Sequence, residues 1–76
     1  MGRVVSDGKF TIYVYMERGG KHHKPHCHVV WADGETILEI PSLNQITGDP
    51  LPRAGLILAR AYLDAIADKW EELNDD

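Results

Sequence analysis

The chain has 76 residues, 43% of them hydrophobic, with 8 basic and 12 acidic side chains and a formal net charge of -4. That apolar fraction excludes a disordered chain, and the length predicts a single domain, 1–76, with a thin core. One cysteine cannot form an internal disulfide, and there is neither a signal-like leader nor an apolar run of roughly 20 residues, so a soluble, cytoplasmic protein without a membrane span is expected.

The opening segment, residues 1–8, is expected to be flexible or to lie at a sheet edge. From there to residue 48 the sequence reads as sheet. In KFTIYVYM, Phe10, Ile12, Val14 and Met16 alternate with Thr11, Tyr13 and Tyr15. Period two with β-branched and aromatic residues is the signature of a strand. ERGGKHHKP, with two glycines and a proline, interrupts it as a loop. HCHVVW and ETILEI follow as two more strands. Asp33-Gly34 between them is a hairpin signal, because glycine tolerates the positive φ of tight turns. PSLNQITGDPLP is mostly irregular, with Leu43 to Thr47 as a candidate short edge strand.

Residues 52–74 read as helix. Pro52 suits the first helical position. Leu56, Ala59, Leu63, Ile66, Trp70 and Leu73 then step by three and four, which makes one apolar stripe. Such a helix is roughly 30 Å long, whereas a six-residue strand spans only about 20 Å. Either the helix bends near Asp64 or its overhang meets another chain. Ile57, Leu58 and Tyr62 widen the apolar surface beyond the stripe, so a homodimer or a small partner protein is expected. The predicted architecture is α+β: a three- or four-stranded antiparallel sheet with one long C-terminal helix packed on one face.

All four histidines, His22, His23, His26 and His28, fall within seven residues, together with the only cysteine, Cys27. On a strand, His26 and His28 share a face with Val30, while Cys27 points the other way with Val29 and Trp31. Cys27 therefore reads as a small core residue, poorly placed for a Cys–His dyad. Trp31 and Trp70 also read as core. His-x-His on a strand supplies two imidazoles for acid–base chemistry or for a metal such as zinc. His22 from the loop and Glu39 from across the hairpin are the candidate further ligands. With Asp33-Gly34 as a two-residue turn, Glu39 stands opposite His28; a longer turn shifts that register. No cofactor is demanded by the sequence, and a divalent metal such as zinc is the candidate. The spacing matches no paired Cys-x-x-Cys and no His-Glu-x-x-His, and it lacks the third alternating histidine of the histidine-triad nucleotide hydrolases. No phosphate-cradling loop is present, and neither Ser6 nor Ser42 has a neighbouring base in sequence.

Charge divides the chain. Residues 1–28 carry five basic and two acidic side chains, +3, and residues 29–76 carry three basic and ten acidic ones, -7. Arg18, Lys21 and Lys24 concentrate positive charge beside the histidines. They are candidate contacts for an anion or nucleic acid, with Tyr13, Tyr15 and Trp31 as nearby stacking surfaces. The competing reading is an ordinary solvated loop at a polar strand end.

KHHKPHCHVVW, ILEI and ITGDPLPRAGLILARAYLDAIADKWEELN together resemble the small bacterial domain-of-unknown-function family 4160. The family pattern is an aromatic strand, a His-x-x-Pro-His-x-His-Val signature, a hairpin, a Gly-x-Leu-Pro-x-Arg-like helix start and a Trp-containing helix end. The matching residues are His22, Pro25, His26, His28 and Val29, then Gly48, Leu51, Pro52 and Trp70, with Arg53 beside them. Lys24 stands where the family usually has a first proline, Cys27 where an aromatic is common and Lys21 where an acid often precedes the first histidine. The resemblance covers about Phe10 to Asn74. It implies a small protein often encoded beside another, in arrangements like toxin–antitoxin pairs. The expected function is thus a component of such a two-protein module, acting by protein binding and also, as a candidate activity, nucleic-acid binding. The alternative is a histidine-based or metal-dependent ribonuclease in which His26 and His28 are catalytic groups or ligands.

Overall fold

The computed structural model describes residues 2–16 and 24–74. Five strands precede two helices: β1 (Gly2–Asp7), β2 (Phe10–Val14), β3 (His26–Trp31), β4 (Gly34–Glu39), β5 (Gln45–Gly48), α1 (Arg53–Ala61) and α2 (Leu63–Asn74). The strands form one sheet in the order β1-β2-β3-β4-β5, each antiparallel to its neighbour. The α+β class is as expected, with one strand more than the upper expectation and two helices in place of one.

The alternation seen in the sequence divides the sheet. Ile12 and Val14 of β2, Cys27 and Val29 of β3, and Leu38 of β4 are buried on one face, joined by Phe10, Ile40 and Leu43. Ala59 of α1 and Ile66 of α2 belong to the same cluster, so the helices cover this inner face. Burying each such aliphatic side chain contributes about 1.5–3 kcal/mol. Thr36 is the buried polar side chain among them, and its hydroxyl donates to the Thr47 carbonyl at 3.0 Å. That bond satisfies the group and ties β4 to edge strand β5.

The extra strand is β1. Its register with β2 slips between Arg3 and Val5, a bulge that leaves both Val4 and Val5 half-buried. β5 occupies the position foreseen for a short edge strand and is exposed along its length. At its end Gly48 takes φ 114° and lies against β4, where a Cβ would sit 2.6 Å from the Glu35 carbonyl oxygen. Only glycine meets both demands. Asp49 then closes the corner: its carboxylate accepts the Glu35 N–H at 3.0 Å, and its own N–H donates to the Glu35 carbonyl at 2.9 Å.

The helical segment realises the bend. Tyr62 (φ -108°, ψ 19°) separates α1 from α2, two residues before the position expected. Hydrogen bonds persist across the junction, from Tyr62 N–H to the Leu58 carbonyl and from Ile66 N–H to the Tyr62 carbonyl. The break therefore costs little, and it lets α2 lie against β1 and β2. Gly55 of α1 brings the first half in close: a Cβ there would approach the Phe10 ring to 2.9 Å.

Candidate functional site

His26 and His28 sit on β3 with Cys27 between them on the inner face, where it is fully buried. Burial pushes the Cys27 thiol up from its ordinary value of 9.0 to about 11, offset in part by a hydrogen bond from the Leu38 backbone. A thiol held protonated is a poor nucleophile and a poor ligand, which agrees with its reading as core. The two imidazoles lie together on the outer face, ring centroids 5.4 Å apart.

Each ring is oriented through Nδ1. His26 Nδ1 lies 2.7 Å from the Lys24 carbonyl oxygen, and His28 Nδ1 lies 3.2 Å from Glu35 Oε2. Both partners are acceptors, so each Nδ1 donates its N–H to them. A carbonyl or carboxylate behind an imidazole is the support that acid–base and metal-ligating histidines use.

A run of aromatic contacts continues across the outer face. Tyr13 stacks on Tyr15 with centroids 5.8 Å apart, and Tyr15 meets the His28 ring edge-on at 4.7 Å. At the other end, Trp70 of α2 reaches the His26 ring at 5.1 Å while also packing against the core. Trp31 is half-buried and packs on Phe10 at 5.9 Å, as a core aromatic. Tyr13 and Tyr15, with Tyr15 exposed, are thus the outward aromatics of the set named from sequence.

The hairpin register differs from a two-residue Asp33-Gly34 turn. Ala32 and Asp33 form the turn and Gly34 pairs with Trp31, which sets His26 opposite Glu39 and His28 opposite Ile37. Gly34 is needed for space rather than for a positive φ. A Cβ there would meet Trp31 Cζ2 at 2.9 Å and Asp49 Oδ2 at 2.7 Å. The carboxylate that reaches His28 is consequently Glu35, diagonal to it across the hairpin, a residue the sequence reading did not single out. Glu39 instead pairs with Lys24 at 3.7 Å and accepts the Ser42 hydroxyl at 2.7 Å. A turn one residue earlier, at Ala32-Asp33, places Glu35 opposite Val30 and so diagonal to His28.

Among the described residues no three His, Cys, Asp or Glu side chains are grouped closely enough to hold a metal ion. His26 and His28 could supply two nitrogens; Glu39 does not complete the set with them. His22, Arg18 and Lys21 lie outside the described residues. Of the loop cations, Lys24 is described; it is exposed and bonded to Glu39.

A second surface feature lies on α1. Among the described residues, Ile57 of α1 is 58% exposed, the most of any large apolar side chain. It borders a groove of about 700 Å³ formed with Leu51, Arg53, Leu56, Arg60 and Ala61. Of the three residues that widen the apolar surface in the sequence, Ile57 lines this groove, Tyr62 is exposed outside it, and Leu58 is half-buried against the core.

The site thus combines a small antiparallel sheet backed by two helices, paired imidazoles on its outer face and an apolar groove on α1. The family model of a domain of unknown function, DUF4160, matches residues 10–74, and the chain belongs to that family. No curated protein and no solved structure matches the chain. No helix is long and apolar enough to cross a membrane among the described residues.

Proposed function

We propose that this protein is the binding component of a two-protein module of toxin–antitoxin type and works by docking a partner protein. The observation that carries this reading is the exposed apolar ridge of α1. Ile57 stands in solvent although the sheet and α2 have already closed the core around Ala59 and Ile66. Nothing in folding calls for an isoleucine there, and a contiguous apolar groove is the usual mark of an interaction surface. Co-expression with the neighbouring gene tests it. The expected result is co-purification of the two products and a change in growth when one is expressed without the other. A strictly monomeric protein that ignores that neighbour contradicts it.

A second reading, ribonuclease activity, is favoured by the paired imidazoles with anchored Nδ1 atoms. Two such rings 5.4 Å apart could remove a proton from a ribose hydroxyl and deliver one to the leaving oxygen. The outer face also carries Glu35 and Glu39, which oppose a phosphodiester and place this reading second. The combined substitution His26→Ala and His28→Ala decides it. Loss of RNA cleavage and toxicity with retained folding supports the enzyme, and unchanged behaviour removes it.

A further inference from the structure

The face of α1 carries charge as well as apolar surface, and its pattern narrows the partner. Arg53, Ile57 and Arg60 stand at i, i+4 and i+7, on one side of the helix. Neither guanidinium has an ion-pair or hydrogen-bond partner among the described residues, whereas Lys69, the third basic residue after position 28, is bonded to Glu72. Arg53 is also placed against the helix dipole. It occupies the first turn of a helix that has no acidic residue in that turn and no side-chain cap at Pro52. A cation at a helix N-terminus costs stability rather than adding to it. Together, Arg53 at the helix N-terminus forms a positive end, Arg60 a second positive point, and Ile57 with Leu56 and Leu51 an apolar floor between.

We infer that this groove docks an acidic amphipathic helix of the partner protein, an inference that rests on the partner-binding reading above. Arg53 and Arg60 are about 10.5 Å apart along the helix axis, two helical turns. The complementary segment therefore has two carboxylates about seven residues apart with large apolar side chains between them. One carboxylate meets Arg53, the other meets Arg60, and the apolar pair covers Ile57.

A second copy of this chain fits poorly. Pairing α1 with α1 about Ile57 sets Arg53 within a turn of Arg60 of the other copy when antiparallel, and each arginine against its equivalent when parallel. The exposed side of α2 is acidic, with Asp64, Asp68, Glu71 and Glu72, but bears no large apolar residue to fill the groove. A nucleic acid would satisfy the arginines and leave Ile57 uncovered.

The test uses the full chain and a labelled helical peptide of about 15 residues with Glu at i and i+7 and Leu at i+3 and i+4. Fluorescence anisotropy should show binding that weakens as salt is raised. R53E/R60E should weaken it on the order of tenfold or more, and a peptide with Lys in place of both Glu should bind wild type poorly but R53E/R60E better. I57D should weaken binding by a similar factor. All three positions are exposed, so circular dichroism should report unchanged folding. Equal binding of the Glu and Lys peptides, unchanged binding by R53E/R60E, or an RNA oligonucleotide that displaces the peptide from wild type at lower concentration than unlabelled peptide does would overturn the inference. Capture of the neighbouring gene's product equally well by wild type and R53E/R60E would leave the partner-binding reading standing and defeat the groove alone. Failure of wild type to capture that product counts against the partner-binding reading, while the peptide titration still decides the groove.

Discussion

The two faces of the sheet are built from the same strands, one residue out of phase, and they differ in nearly every physical respect. On the inner face Ile12, Val14, Cys27 and Val29 are fully buried under the helices. On the outer face Tyr13, His26 and His28 are half-buried and Tyr15 is exposed, linked by ring contacts and by charged groups such as Glu35. Packing and the polar outer surface are therefore assigned to alternate positions of the same strands. Even residues of β2 and odd residues of β3 hold the fold, and their neighbours are available for other work.

That separation can be broken most severely from the inside. Ile12→Ala leaves a cavity under both helices and should cost about 2–5 kcal/mol, read from the denaturant midpoint. For a chain this short that is a large share of a total of roughly 4–11 kcal/mol. Gly48→Ala attacks the corner joining β4 to β5 and should cost about 1–3 kcal/mol, because it forces a side chain into positive φ and into the Glu35 carbonyl.

Cys27 sharpens the comparison through pH. In the unfolded chain its thiol ionises near 9.0, and in the folded chain near 11. Between those values the unfolded chain has lost the proton that the folded chain keeps, so rising pH favours unfolding. Below pH 9 the thiol has no effect. The loss across that window is of order 2 kcal/mol. Urea titrations at several alkaline pH values should show a steeper decline for wild type than for Cys27→Ala. Equal slopes would mean that the thiol is not buried.

The outer face should respond least in stability. Glu35→Gln weakens a hydrogen bond from His28 to a carboxylate that is more than half exposed, and should change stability by no more than about 1 kcal/mol. Lys24→Ala, at a longer and more exposed pair, should fall within about 0.5 kcal/mol. A loss of several kcal/mol from either change would erase the distinction between the faces.

How far the fold was legible follows the same division. β2, β3 and β4 lie where alternation placed them, because each has one face buried and the pattern records it. β1 reads ambiguously in the sequence, as a flexible or an edge segment, because its bulge sets two adjacent valines in the same partly buried environment, which spoils the period. β5 packs no side chain into the core and so leaves only a weak trace. The break at Tyr62 has no Gly or Pro to announce it. It follows from a mismatch between helix and sheet lengths, which is why a bend could be anticipated but not located. At the site, the shared face of His26 and His28 and the burial of Cys27 followed from strand geometry. The partnership of His28 with Glu35 did not, since one residue of turn register changes every cross-strand neighbour.

Partner docking, rather than histidine chemistry, is the function proposed for this protein. It is tested most directly by comparing wild type, H26A/H28A and I57D for capture of the neighbouring gene's product and for effect on growth. H26A/H28A should keep both properties, and I57D should lose both while remaining folded. Loss of the growth effect by H26A/H28A, with partner capture intact in I57D, would contradict it.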